Sequence, residues 1–203
     1  LVTGSSGGIG SRTVELLRES GYTVRTMDRE GAEINADLRD YSAVLAAVDG
    51  VDAVVHAGAI PSDWDGHEVE LMAINVLGTF HIFQACVAHG ITRIIAFSSV
   101  QAMGVFARGG ELQALPFSDS QVLPPGTPYQ LSKHMGEDIG EYFYRKHGIQ
   151  NVSLRPVFVA HERHYEPWKT TEGQAHPEWG RKEVWAYVDV RDVCDAVLRG
   201  LTA

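Results

Sequence analysis

A tyrosine and a lysine stand one helical turn apart at Tyr129 and Lys133, about 30 residues after the serine pair Ser98 and Ser99. A free tyrosine, with a pKa of about 10, is a poor base at neutral pH and needs a fixed positive charge to stabilise its phenolate. Residues at positions i and i+4 share one face of a helix, so Lys133 can supply that charge. The serine, tyrosine and lysine together predict proton transfer coupled to hydride transfer. A tyrosine and lysine at this spacing alone are also typical of the surface of an amphipathic helix.

A glycine-rich turn near the N-terminus offers a place for a phosphate-bearing cofactor. Leu1–Thr3 has the apolar character of a buried strand and leads into Gly4, Gly7 and Gly10, after which Ser11–Ser20 has a helical pattern. Glycines permit a tight turn and let backbone N–H groups at a helix start approach a pyrophosphate. The spacing is G-x-x-G-x-x-G rather than the dinucleotide fingerprint G-x-G-x-x-G, so a purely structural turn remains the alternative.

The next predicted strand, Tyr22–Met27, ends at Asp28, about 18 residues beyond the last glycine of the turn. A carboxylate at this place accepts hydrogen bonds from an adenosine ribose and repels a 2′-phosphate, which favours NAD over NADP. The following Arg29 argues in the opposite direction, because a guanidinium beside the ribose can accommodate a phosphate.

These motifs, taken in order along almost the whole chain, resemble those of the extended short-chain dehydrogenase/reductase family of NAD-dependent epimerases, dehydratases and sugar dehydrogenases. The resemblance implies NAD as cofactor and Ser99, Tyr129 and Lys133 as catalytic residues. It also implies a set of cofactor-binding residues: Gly4, Gly7, Ile9 and Gly10 at the pyrophosphate, Asp28 and Arg29 at the ribose, Asp37 and Leu38 at the adenine, His56, Ala57 and Gly58 beneath the cofactor, Asn75 in an N-V-x-G-T helix, Tyr129 and Lys133 at the nicotinamide ribose, and Pro156 over the nicotinamide.

Apolar runs alternate with helical patterns, which predicts an α/β fold with a doubly wound parallel sheet, a Rossmann fold with helices on both faces. The predicted elements are strands Val51–His56, Arg93–Phe97 and Asn151–Arg155 and helices Glu68–His89, Thr127–His147 and Val190–Leu201. We expect one NAD-binding domain over 1–203 with a small or incomplete substrate lobe. We also expect a chain trimmed at both ends, because it begins inside a strand without Met and stops on a helix.

A narrower resemblance, to the uronate dehydrogenases, lies in the helix that starts at Tyr129 and in Gly104-Val105-Phe106. The chain departs from them at Val100-Gln101, where they carry Asn-His, and at Arg155–Phe158, where they carry R-I-G-S. The resemblance implies hydride transfer to or from a sugar or similar small alcohol. Tyr129 would be the acid/base, Lys133 would lower its pKa, and Ser99 would hold the substrate oxygen. An NAD-dependent sugar-nucleotide epimerase or dehydratase and a non-catalytic NAD-binding regulatory protein are the alternatives.

Irregular stretches at Val105–Pro128 and His161–Lys182 follow strands at the carboxyl edge, where α/β sheets bind ligands. We therefore expect substrate contacts from 100–128 and 157–191. The candidate substrate residues are Ser62, Ser99, Val100, Gln101, Phe158 and Arg191. Trp64, Trp168, Trp179 and Trp185 are expected near the same mouth, where aromatic faces suit a sugar ring, with loop packing as the alternative.

Composition excludes several other classes of function. The net charge of −9 argues against nucleic acid or anionic membranes as partners, and no apolar run is expected to reach membrane-span length. Cys86 and Cys194 are expected to be buried in a reducing cytoplasm. His161, His164 and His176 lie in a polar irregular stretch, so no metal site is expected. The family resemblance implies a homodimer through helices Glu68–His89 and Thr127–His147.

Overall fold

The computed structural model describes residues 1–105, 118, 122–169 and 186–202. The main sheet consists of strands β1 Val2–Thr3, β2 Thr26–Asp28, β3 Ile34–Asn35, β4 Val54–His56, β5 Arg93–Phe97 and β6 Gln150–Leu154. All of its pairings are parallel, and the strand order is β3-β2-β1-β4-β5-β6. Strand order reverses between β1 and β4, the point beyond whose carboxyl ends such sheets bind their ligands.

Helices cover both faces of this sheet, as the alternating pattern predicted. They are α1 Gly8–Glu19, α2 Tyr41–Val48, α3 Glu68–Met72, α4 Gly78–Ala88, α5 Pro128–His147, α6 Glu162–Trp168 and α7 Val190–Thr202. Val54 and Ile94 point into one core with α2, α4 and α5, while the next residues along each strand, Val55 and Ile95, point into a second core with α1 and α7. Successive strand side chains face opposite sides, which explains why both strands are continuously apolar.

Helix α5, which carries the tyrosine and lysine pair, has clear local start and stop signals. Thr127 caps its N-terminus by accepting a hydrogen bond from the backbone N–H of Gln130, and Pro128 occupies the first helical turn. Gly148, at φ +73°, ends the helix in the left-handed conformation that glycine adopts without steric cost. The helix start is therefore fixed by sequence just before Tyr129.

Helices α3 and α4 form one continuous helical stretch, because a π-helical turn, Ala73–Leu77, joins them. The stretch Glu68–Ala88 is long and apolar enough by length and composition to cross a membrane, so the expectation that no run would reach that length is wrong. Half of its apolar window is buried, with Ile82 and Phe83 fully inside the core. Burial on several sides is what makes a core helix this apolar.

Several elements differ from the sequence predictions. Helix α2 and strand β3 were not predicted, and β2 begins four residues later than the predicted strand. Helix α6 lies within His161–Lys182, which was expected to be irregular. Two further strands, β7 Phe158–Ala160 and β8 Tyr187–Asp189, pair in parallel as a separate small sheet. Most of the other predicted irregular stretch, and residues 170–185, lie outside the described residues.

Candidate active site

The structure brings Ser99, Tyr129 and Lys133 together at the carboxyl end of β5. Tyr129 and Lys133 lie on the first two turns of α5, and only 6% and 9% of their surfaces are exposed. The Lys133 ammonium donates a hydrogen bond to the Phe97 carbonyl oxygen over 2.8 Å, and its Nζ is 5.8 Å from the centre of the Tyr129 ring. Ser99 begins a short 3₁₀ turn by accepting a hydrogen bond from the backbone N–H of Gln101.

Burial controls the protonation of this group. Desolvation raises the pKa of Tyr129 above its usual value, the Ser99 hydroxyl opposes the rise by hydrogen bonding, and the negative charge of Asp63 adds to it. Desolvation also lowers the pKa of Lys133 to about 8, which the carboxylate of Glu137 partly offsets. The expected lowering of the Tyr129 pKa by Lys133 is therefore not found here, because the cost of burying a phenolate outweighs the charges around it.

The glycine turn forms a cradle that only glycine can build. Gly4 has φ +66°, and a Cβ placed on it would lie 2.6 Å from the Ala57 carbonyl carbon. A Cβ on Gly10 would lie 2.0 Å from the Gly4 carbonyl oxygen. Gly7 precedes the first turn of α1, and Gly7, Gly8, Ile9 and Gly10 all line the cleft. A pyrophosphate at the positive end of the helix would fit these close approaches.

The cleft has two connected parts. One, of about 410 Å³, is lined by residues predicted for the adenosine, the pyrophosphate and the loop beneath the cofactor: Gly4, Gly7, Asp28, Arg29, Asp37, Leu38, Ala57 and Gly58. The other, of about 540 Å³, brings together Ile9, Gly10, Ser99, Val100, Gln101, Tyr129, Lys133, Pro156 and Phe158. Most of the predicted cofactor and substrate residues thus share one continuous groove that begins at the glycine turn and ends at the tyrosine.

At the adenosine end, Asp28 is held by its neighbours. Its carboxylate accepts hydrogen bonds from the backbone N–H groups of Ser6, over 2.9 Å, and Arg29, over 2.7 Å. A carboxylate has about four acceptor positions, so the oriented group retains capacity for ribose hydroxyls. Asp37 pairs with Arg39, and this hydrogen-bonded guanidinium lowers the pKa of the carboxyl. Both carboxylates are therefore held by hydrogen bonds at this end of the groove.

Two predicted cofactor residues act from beneath the cleft. The ring nitrogens of His56 are hydrogen-bonded to the hydroxyls of Thr3 and Thr79, and burial lowers its pKa to about 3, so the ring is neutral. Asn75 exchanges hydrogen bonds with the backbone of Ile60 and donates one to the Ser132 hydroxyl. His56 thus links β1 to α4, and Asn75 holds the loop at Ile60 that lines the cleft; neither side chain lines the cleft itself.

Two predicted substrate residues are not brought to the groove. Ser62 is exposed on the loop after β4. Arg191 forms an ion pair with Asp189 and lines an adjacent depression of about 440 Å³ beside α1. Its guanidinium is held there because Asp189 accepts hydrogen bonds from its side chain and its backbone.

Of the tryptophans and histidines considered in the sequence, the structure describes Trp64, Trp168, His161 and His164. Trp64 stacks on His67. Trp168 packs against Phe158 and Tyr187 in a small lobe formed by β7, β8 and α6, which matches the packing alternative. His176, Trp179 and Trp185 lie outside the described residues. Within 1–105, 118, 122–169 and 186–202, no group of three potential His, Cys, Asp or Glu ligands could hold a metal ion. Cys86 and Cys194 are buried and free.

A charged cluster behind the tyrosine and lysine was missed at the sequence level. The Glu137 carboxylate accepts two hydrogen bonds from the Arg155 guanidinium, over 2.8 and 2.6 Å, and one from the Ser98 hydroxyl. This arrangement ties α5 to the carboxyl ends of β5 and β6. The position of Glu137 could have been predicted, because it follows Lys133 by one helical turn and shares its face.

Comparison with known proteins agrees with this geometry. All 203 residues match the NAD dependent epimerase/dehydratase family. The chain belongs to that family. NAD is the family's cofactor, which confirms the cofactor predicted from Asp28 and the glycine turn.

Individual members of the family give a finer comparison. A uronate dehydrogenase of Pseudomonas syringae is 32% identical over 76% of this chain and 57% of its own. An L-arabinose 1-dehydrogenase (NAD(P)(+)) of Haloferax volcanii is 30% identical over 76% of this chain and 64% of its own. A short-chain dehydrogenase/reductase superfamily protein of Agrobacterium tumefaciens, solved with bound NAD, is 25% identical and has a TM-score of 0.81 over 98% of this chain and 72% of its own. The chain spans less than two thirds of the length of the uronate and L-arabinose dehydrogenases.

Proposed function

We propose that the protein is an NAD-dependent oxidoreductase that transfers hydride between the nicotinamide and a sugar or similar small alcohol. The observation that carries this proposal is the position of Ser99, Tyr129 and Lys133 at the end of the groove that starts at the glycine turn. The groove joins a cradle for a dinucleotide to a buried proton-transferring group, which an oxidoreductase of this family requires.

Each residue of the group has a separate task in alcohol oxidation. NAD, when bound, accepts the hydride that leaves the carbinol carbon. Tyr129 in its phenolate form takes the hydroxyl proton, so that a carbonyl, NADH and a protonated tyrosine result. Ser99 donates a hydrogen bond to the substrate oxygen as its charge changes. Lys133, fixed by the Phe97 carbonyl, supplies positive charge beside the tyrosine and would bind the nicotinamide ribose.

The choice of a small sugar rests on two supports. The uronate and L-arabinose dehydrogenases named above are similar to this chain at about 30% identity. The sequence between Pro156 and Tyr187 is also short for a lobe that would bury the nucleotide moiety of a sugar nucleotide. A sugar-nucleotide epimerase or dehydratase is the second candidate, because the family that matches the whole chain includes both reactions.

The experiment that tests the proposal compares Tyr129→Phe with Tyr144→Phe, an exposed tyrosine on the same helix. We expect Tyr129→Phe to lower kcat on the full-length protein by a factor on the order of 100 or more, the scale of lost acid/base catalysis, with NAD affinity changed by no more than a few-fold. Tyr144→Phe should behave as the unchanged protein. Near-full turnover in Tyr129→Phe would remove Tyr129 from the mechanism.

We further propose that the protein is a cytoplasmic homodimer. Large apolar side chains are exposed on the α3–α4 stretch and on α5, including Leu77, Phe80, Leu131 and Tyr142, with 39–45% of each surface accessible. These are the two helical stretches that the family resemblance implies at the interface. Free buried cysteines agree with a reducing compartment.

A further inference from the structure

Gly8 is a fourth glycine in the turn and lies outside the three-glycine spacing, yet the structure gives it a specific neighbour. A Cβ built on Gly8 would lie 2.7 Å from Cε1 and 2.9 Å from Nε2 of His161. A side chain at this position would therefore displace the imidazole. The absence of a side chain at Gly8 lets His161, from a distant part of the chain, pack directly on the first turn of α1.

The backbone around His161 is fixed. The residue follows β7 at the start of α6, where its N–H donates to Nδ1 of His164 over 2.9 Å. In return, the His164 N–H donates to the His161 carbonyl oxygen over 2.8 Å. The His164 ring stacks on Trp168, which anchors the turn in the small lobe. The imidazole of His161 is thus held against α1 by the packing of a second element and is not a free loop side chain.

The ring lines the same groove as Gly7, Gly8 and Ile9, at the helix start that offers backbone donors to a pyrophosphate. Its nitrogens form no hydrogen bond with any residue that the structure describes. Burial, together with the charges of Arg163 and His164, lowers the pKa of His161, so at neutral pH the ring is uncharged and carries one N–H donor. A donor facing a phosphate site has an evident acceptor in the cofactor.

We propose that His161 is a pyrophosphate ligand of the bound dinucleotide, donating a hydrogen bond from its imidazole beside the glycine turn. The dinucleotide would then be held between two elements, the start of α1 and the start of α6. The bound cofactor would thereby link the two elements, because His161 immediately precedes α6. The inference rests on the cofactor and not on the identity of the substrate or the reaction.

Two variants separate the donor from the shape of the ring. His161→Phe keeps a planar ring on Gly8 without an N–H, and His161→Gln keeps an N–H donor at similar reach. Calorimetry with ADP-ribose, which carries the pyrophosphate, and ligand-observed titration with adenosine, which does not, give the two affinities. We expect His161→Phe to weaken ADP-ribose about tenfold, the scale of one hydrogen bond to a charged group, while adenosine affinity is unchanged. His161→Gln should recover most of the loss.

Equal ADP-ribose affinity in His161→Phe and the unchanged protein would show that the imidazole only packs, and would overturn the proposal. Equal losses for ADP-ribose and adenosine would show a distorted turn and would also overturn it. If His161→Phe does not fold, as judged by circular dichroism, His161→Ala replaces it with the same expectation. Failure to oxidise any sugar would refute the proposed reaction and leave this affinity difference in place.

Discussion

Lys133 is a buried cation whose cost can be measured as a pH dependence of stability. Its pKa of about 8, against an ordinary value of 10.5, corresponds to a penalty of about 3 kcal/mol on the charged form in the folded protein. Between these two pKa values, the unfolded chain binds a proton at this lysine and the folded protein does not. The free energy of unfolding therefore rises with pH in this window, by about 1.4 kcal/mol per pH unit.

Replacing Lys133 with methionine removes this dependence. At neutral pH the variant loses the penalty of about 3 kcal/mol but leaves the Phe97 carbonyl without its donor, at a cost of about 1–3 kcal/mol. The two effects offset each other, so the variant should be as stable as the unchanged protein or up to about 2 kcal/mol more stable. As the pH rises from about 8 to 10.5, the unchanged protein should gain about 3 kcal/mol relative to the variant.

The assay is urea unfolding of nucleotide-free protein, followed by circular dichroism at several pH values across this window. Lys146→Met is the matched control, because Lys146 lies on the same helix but is exposed, and its difference from the unchanged protein should be flat with pH. A stability difference between Lys133→Met and the unchanged protein that does not change with pH would refute the conclusion that the lysine is desolvated.

Three further predictions concern the cofactor, the tyrosine and the dimer. Asp28→Ala should lower the ratio of kcat/KM for NAD over NADP by about tenfold or more, because it removes a ribose acceptor and the repulsion of a 2′-phosphate; an unchanged ratio would count against this role. Asp63→Asn keeps an acceptor for the Tyr129 backbone N–H, 2.9 Å away, but removes a charge that raises the pKa of Tyr129. In the pH profile of kcat/KM for alcohol oxidation, the acid limb should therefore move to lower pH. An acid limb at the same pH in both proteins would contradict the influence of Asp63 on the pKa of Tyr129. Leu77→Glu should convert a dimer to monomers in sedimentation velocity, and a persisting dimer would exclude that surface.

The shared helix face of Tyr129 and Lys133 and the tight glycine turn could be predicted from the sequence because each depends on local rules. The tyrosine and lysine share a face by helix geometry, and Thr127 and Pro128 fix where that helix starts. Gly4 and Gly10 are required by backbone approaches that no side chain permits. Helix α2 could also have been predicted, since Asp40 is a capping residue just before an apolar run. In the structure it accepts hydrogen bonds from the backbone N–H groups of Ser42 and Ala43.

What the sequence did not predict depends on contacts between distant residues. The raised pKa of Tyr129 follows from burial, which spacing alone does not measure. The ion pair of Arg191 with Asp189 keeps that guanidinium out of the groove, although its position in the chain suggested a substrate contact. The packing of His161 on Gly8 joins residues that are far apart in the sequence, and no local pattern indicates it.

The central claim is net hydride transfer to NAD from a small sugar or alcohol. The most direct measurement supplies the full-length protein with NAD and a panel of free aldoses, uronates and UDP- or dTDP-sugars, and follows NADH absorbance together with the sugar products. We expect NADH to accumulate in proportion to an oxidised, unactivated sugar, and this signal to be lost in Tyr129→Phe. Interconversion of a UDP-sugar with the redox state of the cofactor unchanged would show an epimerase and would contradict the account.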